Sequence, residues 1–198
     1  MQIRKQTTDL RDCEIVIPEV FQDARGFFTE VFRADQFADL GLPTCFVQWN
    51  HSRSAKGVLR GLHFQWDPPM GKLMRVTFGE AYLVAVDIRK GSPTLGQHFG
   101  MIASAQDKKM VFAPAGFARG FLVLSEFAEI EYLTTGLYNA KAESGIRWND
   151  PALGIRWPVE QPTLSAKDEK AQTLDEWLAR PESGSFQYEL GPGVGGRR

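Results

Sequence analysis

Val58-Leu59-Arg60-Gly61-Leu62-His63-Phe64-Gln65 reads as a β-strand. It is rich in β-branched and aromatic residues, follows Ala55-Lys56-Gly57, and is stopped by the breaker cluster Trp66-Asp67-Pro68-Pro69. A core strand should carry more valine, yet this one carries an arginine, a glycine and a histidine. Strict alternation places Leu59, Gly61, His63 and Gln65 on one face and Arg60, Leu62 and Phe64 on the other. A glycine inside a strand suggests a bulge or a close backbone approach, and either would turn Arg60 and His63 toward a common space. The ordinary alternative is a satisfied, half-buried histidine beside a surface arginine. The rest of the chain decides between them.

Further strands lie on both sides of this stretch. Glu14–Pro18, Phe27–Phe32, Thr44–Ser52, Lys72–Phe78, Ala81–Arg89, Gln97–Ala103, Lys109–Ala113, Gly120–Leu124 and Glu129–Thr134 all have strand character. Val20–Gly26 and Gly91–Thr94 read as turn and loop, and Pro114–Gly116 as a tight connection. Many short strands at roughly ten-residue spacing predict an all-β sandwich or barrel rather than βαβ units. Helices are short and peripheral: Ala34–Leu40 before Gly41 and Pro43, Ser165–Asp168, and Thr173–Ala179 with Thr173 and Glu176 spaced as a capping box. With no internal repeat and no obvious linker, residues 1–185 are expected to form one domain, and 186–198, ending Gly191-Pro-Gly-Val-Gly-Gly-Arg-Arg198, a flexible tail.

Composition narrows the function classes. The 198 residues, 43% hydrophobic, suffice for one domain with a real core. A net charge of −1, from 23 basic and 24 acidic residues, gives no general polyanion-binding surface. It argues against a nucleic-acid partner while leaving room for a local basic pocket. No apolar run approaches the ~20 residues of a membrane helix, and Met1–Asp9 lacks the apolar core of a secretory signal. A cytoplasmic protein without membrane association is expected. Cys13 and Cys45 make no CxxC pair, and free thiols in a reducing compartment suit them better than a disulfide.

Several chemistries are excluded by their missing residues. The three histidines, His51, His63 and His98, include no His-x-His pair, so a barrel metal site lacks its ligands and none is expected. Neither GxxxxGK[ST] nor a strand–helix GxGxxG is present, and there is no GxSxG elbow. What remains is a set of separated polar residues in or beside strands: His63, Lys72, Asp87, Arg89, Tyr132 and Asp168. A histidine, a carboxylate, a lysine and a tyrosine facing one barrel interior would suit proton abstraction beside a carbonyl. The histidine would be the base, with the carboxylate fixing its tautomer. The tyrosine would be the acid, and the lysine would stabilise the enolate oxygen.

Nine collinear blocks give this pattern a family. They are Asp23–Glu30, Gln48–Ser52, Gly57–Gln65, Gly71–Leu73, Val86–Arg89, Ser92–Thr94, Pro114–Phe121, Ile146–Asp150 and Leu164–Asp168. Together they resemble the deoxysugar-nucleotide 3,5-epimerases of the dTDP-4-dehydrorhamnose 3,5-epimerase family, from about residue 10 to about residue 180. The resemblance implies a cupin-like double-stranded β-helix, or jelly-roll, barrel. It implies a homodimer in which one subunit completes the other's site, with no metal and no organic cofactor. The implied substrate is a nucleoside-diphosphate 4-keto-6-deoxyhexose, most simply dTDP-linked, inverted at C3, C5 or both through an enolate. It puts His63 on the base, Asp168 on its partner, Lys72 beside the C4 oxygen and Tyr132 on the acid. Arg25, Glu30, Gln48, Asn50, Arg60, Glu143 and Lys167 fall on substrate contacts, and Tyr138 on the ring that stacks against the nucleobase.

Three departures stand out. Arg119 occupies the place of a histidine in the family's usual Gly-Phe-Ala-His-Gly-Phe, where an arginine would still bind phosphate but could not exchange a proton. Trp49 replaces a small polar residue, as a subunit-boundary, nucleotide-facing or buried structural ring, and Trp66–Met70 forms an unusual loop. These leave open a C3 mono-epimerase, a ketoisomerase, or a barrel that binds sugar nucleotides without turnover.

Overall fold

The computed structural model describes residues 1–188. Its strands are β1 (Ile3–Thr7), β2 (Glu14–Pro18), β3 (Val20–Asp23), β4 (Gly26–Thr29), β5 (Gln48–Ala55), β6 (Leu59–Gln65), β7 (Lys72–Phe78), β8 (Glu80–Asp87), β9 (His98–Ser104), β10 (Met110–Ala113), β11 (Phe117–Val123), β12 (Phe127–Thr134) and β13 (Glu143–Gly145). Three short α-helices accompany them: α1 (Ala34–Asp39), α2 (Ala166–Glu169) and α3 (Leu174–Ala179). One sheet runs β1-β2-β10-β7-β12-β5, a second runs β13-β6-β11-β8-β9, and β3-β4 form a separate hairpin. All strand neighbours are antiparallel.

Three apolar layers follow from alternation along these strands. Between the sheets lie Met74, Val76, Leu83, Ala85, Val111, Phe117, Phe121 and Ile130. Behind the second sheet Leu62, Phe64, Val84 and Val86 pack against Trp177, Leu174 and Phe186 of the C-terminal segment. Phe64 and Trp177 have ring centroids 4.5 Å apart. Behind the first sheet Leu73, Met110 and Phe112 are covered by Phe37 of α1 and by Leu42. The capping box at Thr173 and Glu176 forms as the spacing predicts and starts the helix that carries Trp177.

The central strand departs from simple alternation. Arg119 faces His63 across the ladder and Phe121 faces Arg60, so Gly61 and Leu62 together oppose Gly120 alone. This bulge turns Arg60 and His63 to the same inner face, while Leu62 and Phe64 point into the outer core. Glycine is required on both strands here. Gly61 has φ +142°, and a Cβ on it would lie 2.6 Å from the Gly120 Cα.

Other segments differ from the sequence reading. Val20–Asp23 is a strand, not a turn, paired to Gly26–Thr29. The strand expected over 44–52 lies at 48–55, and β1 and β13 were not expected. β1 buries only Ile3 of its five residues and lies at the sheet edge, so it carries no alternation to read. Within the stretch expected as a tail, Phe186 is buried, and the Tyr188 N–H donates to the Lys90 carbonyl at 2.9 Å. Residues 189–198 lie outside the described residues.

Replacing Gly61 by alanine is expected to cost about 2–3 kcal/mol of stability, from the Cβ contact and the positive φ. Urea unfolding checks this, and activity should fall further than stability accounts for, because the same bulge aims His63.

Candidate active site

The interior of the barrel is apolar at one end and polar at the other. Inward positions of β5 supply Gln48 and Asn50, β6 supplies His63, β7 Lys72, β12 Tyr132 and β13 Glu143. With Met70, Thr134, Gln65 and Tyr138 they line a cavity of about 80 Å³. A second cleft of about 410 Å³ shares His63 and Glu143 and adds Lys167, Asp168, Lys170 and Arg180.

His63 Nε2 lies 2.5 Å from Asp168 Oδ1. Asp168 is buried, and its other oxygen accepts from Ser165 Oγ at 2.9 Å. Ser165 is also the N-cap of α2, accepting from the Asp168 N–H, so one side chain fixes both the helix start and the carboxylate. Burial pushes the Asp168 pKa up, but hydrogen bonding and charge interaction with His63, with help from Ser165 and Lys167, hold it below the ordinary value. An ionised carboxylate only accepts hydrogen bonds, so Nε2 carries the proton and Nδ1 the lone pair.

Lys72 reaches the His63 carbonyl at 3.5 Å and lies 5.9 Å from the Tyr132 ring centroid. Burial first, and the Arg119 charge second, push its ammonium down to about 8. Tyr132 moves the other way: burial and the nearby Glu143 raise its phenol, partly offset by Arg60, so it is a neutral proton donor near pH 7. Glu143 is the hub of the mouth. Its Oε2 accepts from Lys167 Nζ at 2.5 Å and from the Tyr138 hydroxyl at 3.0 Å. The Tyr138 ring is exposed, with its N–H bonded to Gln48 Oε1 at 2.9 Å. Arg60 is held by Ser54 Oγ at 3.0 Å. Among the described residues no three His, Cys, Asp or Glu side chains converge as a ligand set.

His63, Lys72, Tyr132, Gln48, Asn50, Tyr138 and Glu143 therefore meet around one cavity, with Asp168 and Lys167 on its adjoining cleft. Arg60, exposed, lines neither cavity although its charge bears on Tyr132, and three further expected residues do not join them within the chain. Arg25, at the tip of the β3–β4 hairpin, pairs with Asp23 at 2.6 Å and is 91% exposed. Glu30 lies 3.7 Å from Arg33. Arg119, expected as a substrate contact, is buried beneath the cavity with its guanidinium on backbone carbonyls. Trp49 is 63% exposed on the outer side of edge strand β5, which removes its reading as a buried structural ring. Asp87 and Arg89 form a separate ion pair at 2.8 Å with Asp12, Ser92 and Thr94.

Sequence reasoning missed Gln65, Thr134, Lys170 and Arg180. Gln65 was within reach, two residues from His63 on the same strand. It donates to the Pro68 and Leu137 carbonyls and accepts the Asn139 N–H, so it holds the loops at the mouth.

A jelly-roll barrel that brings a histidine, a depressed lysine and a neutral tyrosine around one cavity, with a carboxylate bonded to the histidine from the adjoining cleft, is the arrangement the resemblance to the epimerases implied, and the comparisons give the class, an isomerase. The model of the dTDP-4-dehydrorhamnose 3,5-epimerase family matches residues 7–176. A Salmonella typhimurium dTDP-4-dehydrorhamnose 3,5-epimerase is 51% identical over 174 residues, covering 86% of this chain and 95% of that protein. A Legionella pneumophila dTDP-6-deoxy-D-glucose-3,5-epimerase, solved with dTDP-4-keto-L-rhamnose, superposes with a TM-score of 0.89 at 44% identity, covering 95% of this chain and all of that one. A Streptomyces niveus dTDP-4-dehydrorhamnose 3-epimerase is 37% identical over 163 residues, covering 81% of this chain and 79% of that protein. The chain belongs to the dTDP-4-dehydrorhamnose 3,5-epimerase family.

Asp168 has a depressed pKa in the fold, so its contribution to stability is present above the ordinary carboxyl value and lost as pH falls through the depressed one. Asp168→Asn should therefore flatten the acid side of the stability profile, read by urea melts between roughly pH 5 and pH 2. It should also cost about 100- to 10,000-fold in turnover, because the imidazole loses its orienting acceptor.

Proposed function

We propose that the chain inverts C3 and C5 of a dTDP-linked 4-keto-6-deoxyhexose, of the dTDP-4-dehydro-6-deoxyglucose to dTDP-4-dehydrorhamnose type. The observation that carries this reading is that His63, bonded to Asp168 from the adjoining cleft, shares a cavity with Lys72 and Tyr132. The C4 ketone acidifies the hydrogens on its neighbouring carbons. His63 Nδ1 removes one of them, and the electron pair passes to the C4 oxygen as an enolate. Lys72 stabilises that oxygen with its ammonium. Tyr132 then gives its proton to the carbon from the opposite face, inverting it. A cavity of about 80 Å³ is too small for a whole sugar nucleotide. Joined through His63 and Glu143 to the cleft of about 410 Å³, it would place the sugar at His63 and the nucleotide toward the mouth. There the exposed Tyr138 ring suits the base, and Arg60 and Lys167 suit the diphosphate.

The distant placement of Arg25 and Glu30 favours a homodimer. The β3–β4 hairpin belongs to neither large sheet and exposes Phe21, Phe27 and Phe28. Packed on a second copy it would bury that apolar surface and carry Arg25 to the partner's cavity. Cys13 and Cys45, both free, fit a cytoplasmic setting. Mono-epimerisation at C3 is the second reading, favoured by the Streptomyces niveus relative, though the double epimerase from Salmonella typhimurium shares more of the sequence.

Deuterium uptake in D2O separates these. Wash-in at both C3 and C5 is expected with the wild-type chain, while uptake at C3 alone indicates the single inversion. His63→Ala should abolish exchange. Tyr132→Phe should slow product formation more than exchange, since the base and solvent suffice for exchange.

Mixing two inactive variants, His63→Ala and Arg25→Ala, tests the shared site. If Arg25 serves the partner's cavity, random re-pairing leaves half of the dimers with one intact site. Activity should then return to about one quarter of wild type. No recovery after confirmed subunit exchange would place Arg25 in its own chain's site or outside both.

A further inference from the structure

Arg119 is the unusual group of this molecule. It is 2% exposed, on the inner face of β11, directly opposite His63 in the ladder. Among the described residues no carboxylate pairs with it. Its guanidinium is held by main-chain oxygens instead: Nη1 donates to the Lys72 carbonyl at 3.1 Å, Nε to Val84 at 3.3 Å, and Nη2 to Val111 at 3.4 Å. Those three oxygens come from β7, β8 and β10, so one side chain ties the two sheets together. Burying a full charge with only neutral acceptors is costly, and removing it to the surface would be easy for the chain. The arrangement therefore invites a role for the charge itself.

We infer that Arg119 is a positioning residue for Lys72: it pins the start of β7 and sets an uncompensated positive charge behind the Lys72 ammonium. This rests on the reading of Lys72 as the group that meets the enolate oxygen. The charged and titratable groups around Lys72 are His63 on β6, Arg119 on β11, Tyr132 on β12, Glu143 on β13 and Lys167 on α2. Glu143 is already engaged by Lys167 and Tyr138, which leaves Arg119 as the cation without a counter-charge. The acidic group that acts on Arg119 is the Cys13 thiol, which burial pushes up to about 11 and so keeps neutral near pH 7. A like charge behind an ammonium makes it a readier proton donor. An enolate oxygen, which gains negative charge as the C–H bond breaks, is stabilised more strongly by such a donor and by the second cation behind it. Lys72, lowered to about 8 chiefly by burial and next by Arg119, accords with this.

The test reads Lys72 directly, in protein without substrate. The chain is labelled with ¹³C-lysine, and the Lys72 Cε signal is assigned by its loss in Lys72→Met. In the wild type it should titrate near 8. In Arg119→Met and Arg119→Gln it should move up by about one unit. In kinetics, the alkaline limb of kcat should move with it while KM changes less than kcat. Should the neutral variants fail to fold by circular dichroism, Arg119→His gives the same readout, because an imidazole is neutral across this pH range. An unchanged Lys72 titration in any folded variant lacking the charge overturns the proposal, as does a change confined to KM, which would put Arg119 on the substrate. These failures differ from a failure of the epimerase reading, which would show as no deuterium exchange in the wild type.

Discussion

Between His63 on an inner strand and Asp168 on a four-residue helix runs a 2.5 Å hydrogen bond spanning 105 positions of sequence. Each end is held separately. His63 is turned inward by a bulge that exists because Gly61 and Gly120 let two backbones approach. Asp168 is held by the Ser165 cap and by the packing of the C-terminal segment on Phe64 and its neighbours. Without the bulge the imidazole would point into the outer core. Without the C-terminal layer its acceptor would be in solvent. The His63–Asp168 pair therefore depends on the same contacts that close the back of the barrel.

Around that pair the barrel interior holds an excess of positive charge. Lys72, Arg60 and Arg119 face inward or rim the cavity, and the acidic groups Asp168 and Glu143 are each engaged by a specific partner. This distribution matches a reaction whose intermediate is an oxyanion. Burial acts in opposite directions on its two donors: it drives Lys72 toward losing its proton and holds Tyr132's proton on. The same desolvation thus makes the Lys72 ammonium easier to deprotonate and the Tyr132 phenol harder to deprotonate.

The exposed β3–β4 hairpin stands apart from this economy of contacts. Its ladder hydrogen bonds run between its own two strands, and beyond them it is tied to the chain by Thr29 on the Glu19 carbonyl and by Lys108 over the Phe27 ring, while Phe21, Phe27 and Phe28 stay exposed. Its Arg25 belongs to a sequence block that resembles the family as the one around His63 does, yet the fold leaves it 91% exposed. The proposed homodimer would reconcile the two facts.

The sequence alone determined a good deal. Short strands broken by Gly and Pro at regular spacing pointed to an all-β sandwich or barrel, because alternation is legible wherever one strand face is buried, and the family resemblance chose the barrel. The Thr173–Glu176 box fixed a helix start, because capping is local. Gly61 in a strand announced the bulge, because only glycine accepts that backbone. The edge strands β1 and β13 were illegible, since edges with little burial carry no pattern. Val20–Asp23 was read as a turn because its residues alternate with nothing beneath them. The inward directions of Lys72, Tyr132 and Glu143, and the meeting of residues 63 and 168, were decided by tertiary structure alone: no local rule relates groups brought together only when two sheets and a C-terminal layer close on one another. Arg119 shows the limit most clearly. Its residue type suggested a phosphate ligand, but the packing of four strands put its charge under the floor of the cavity instead of in it.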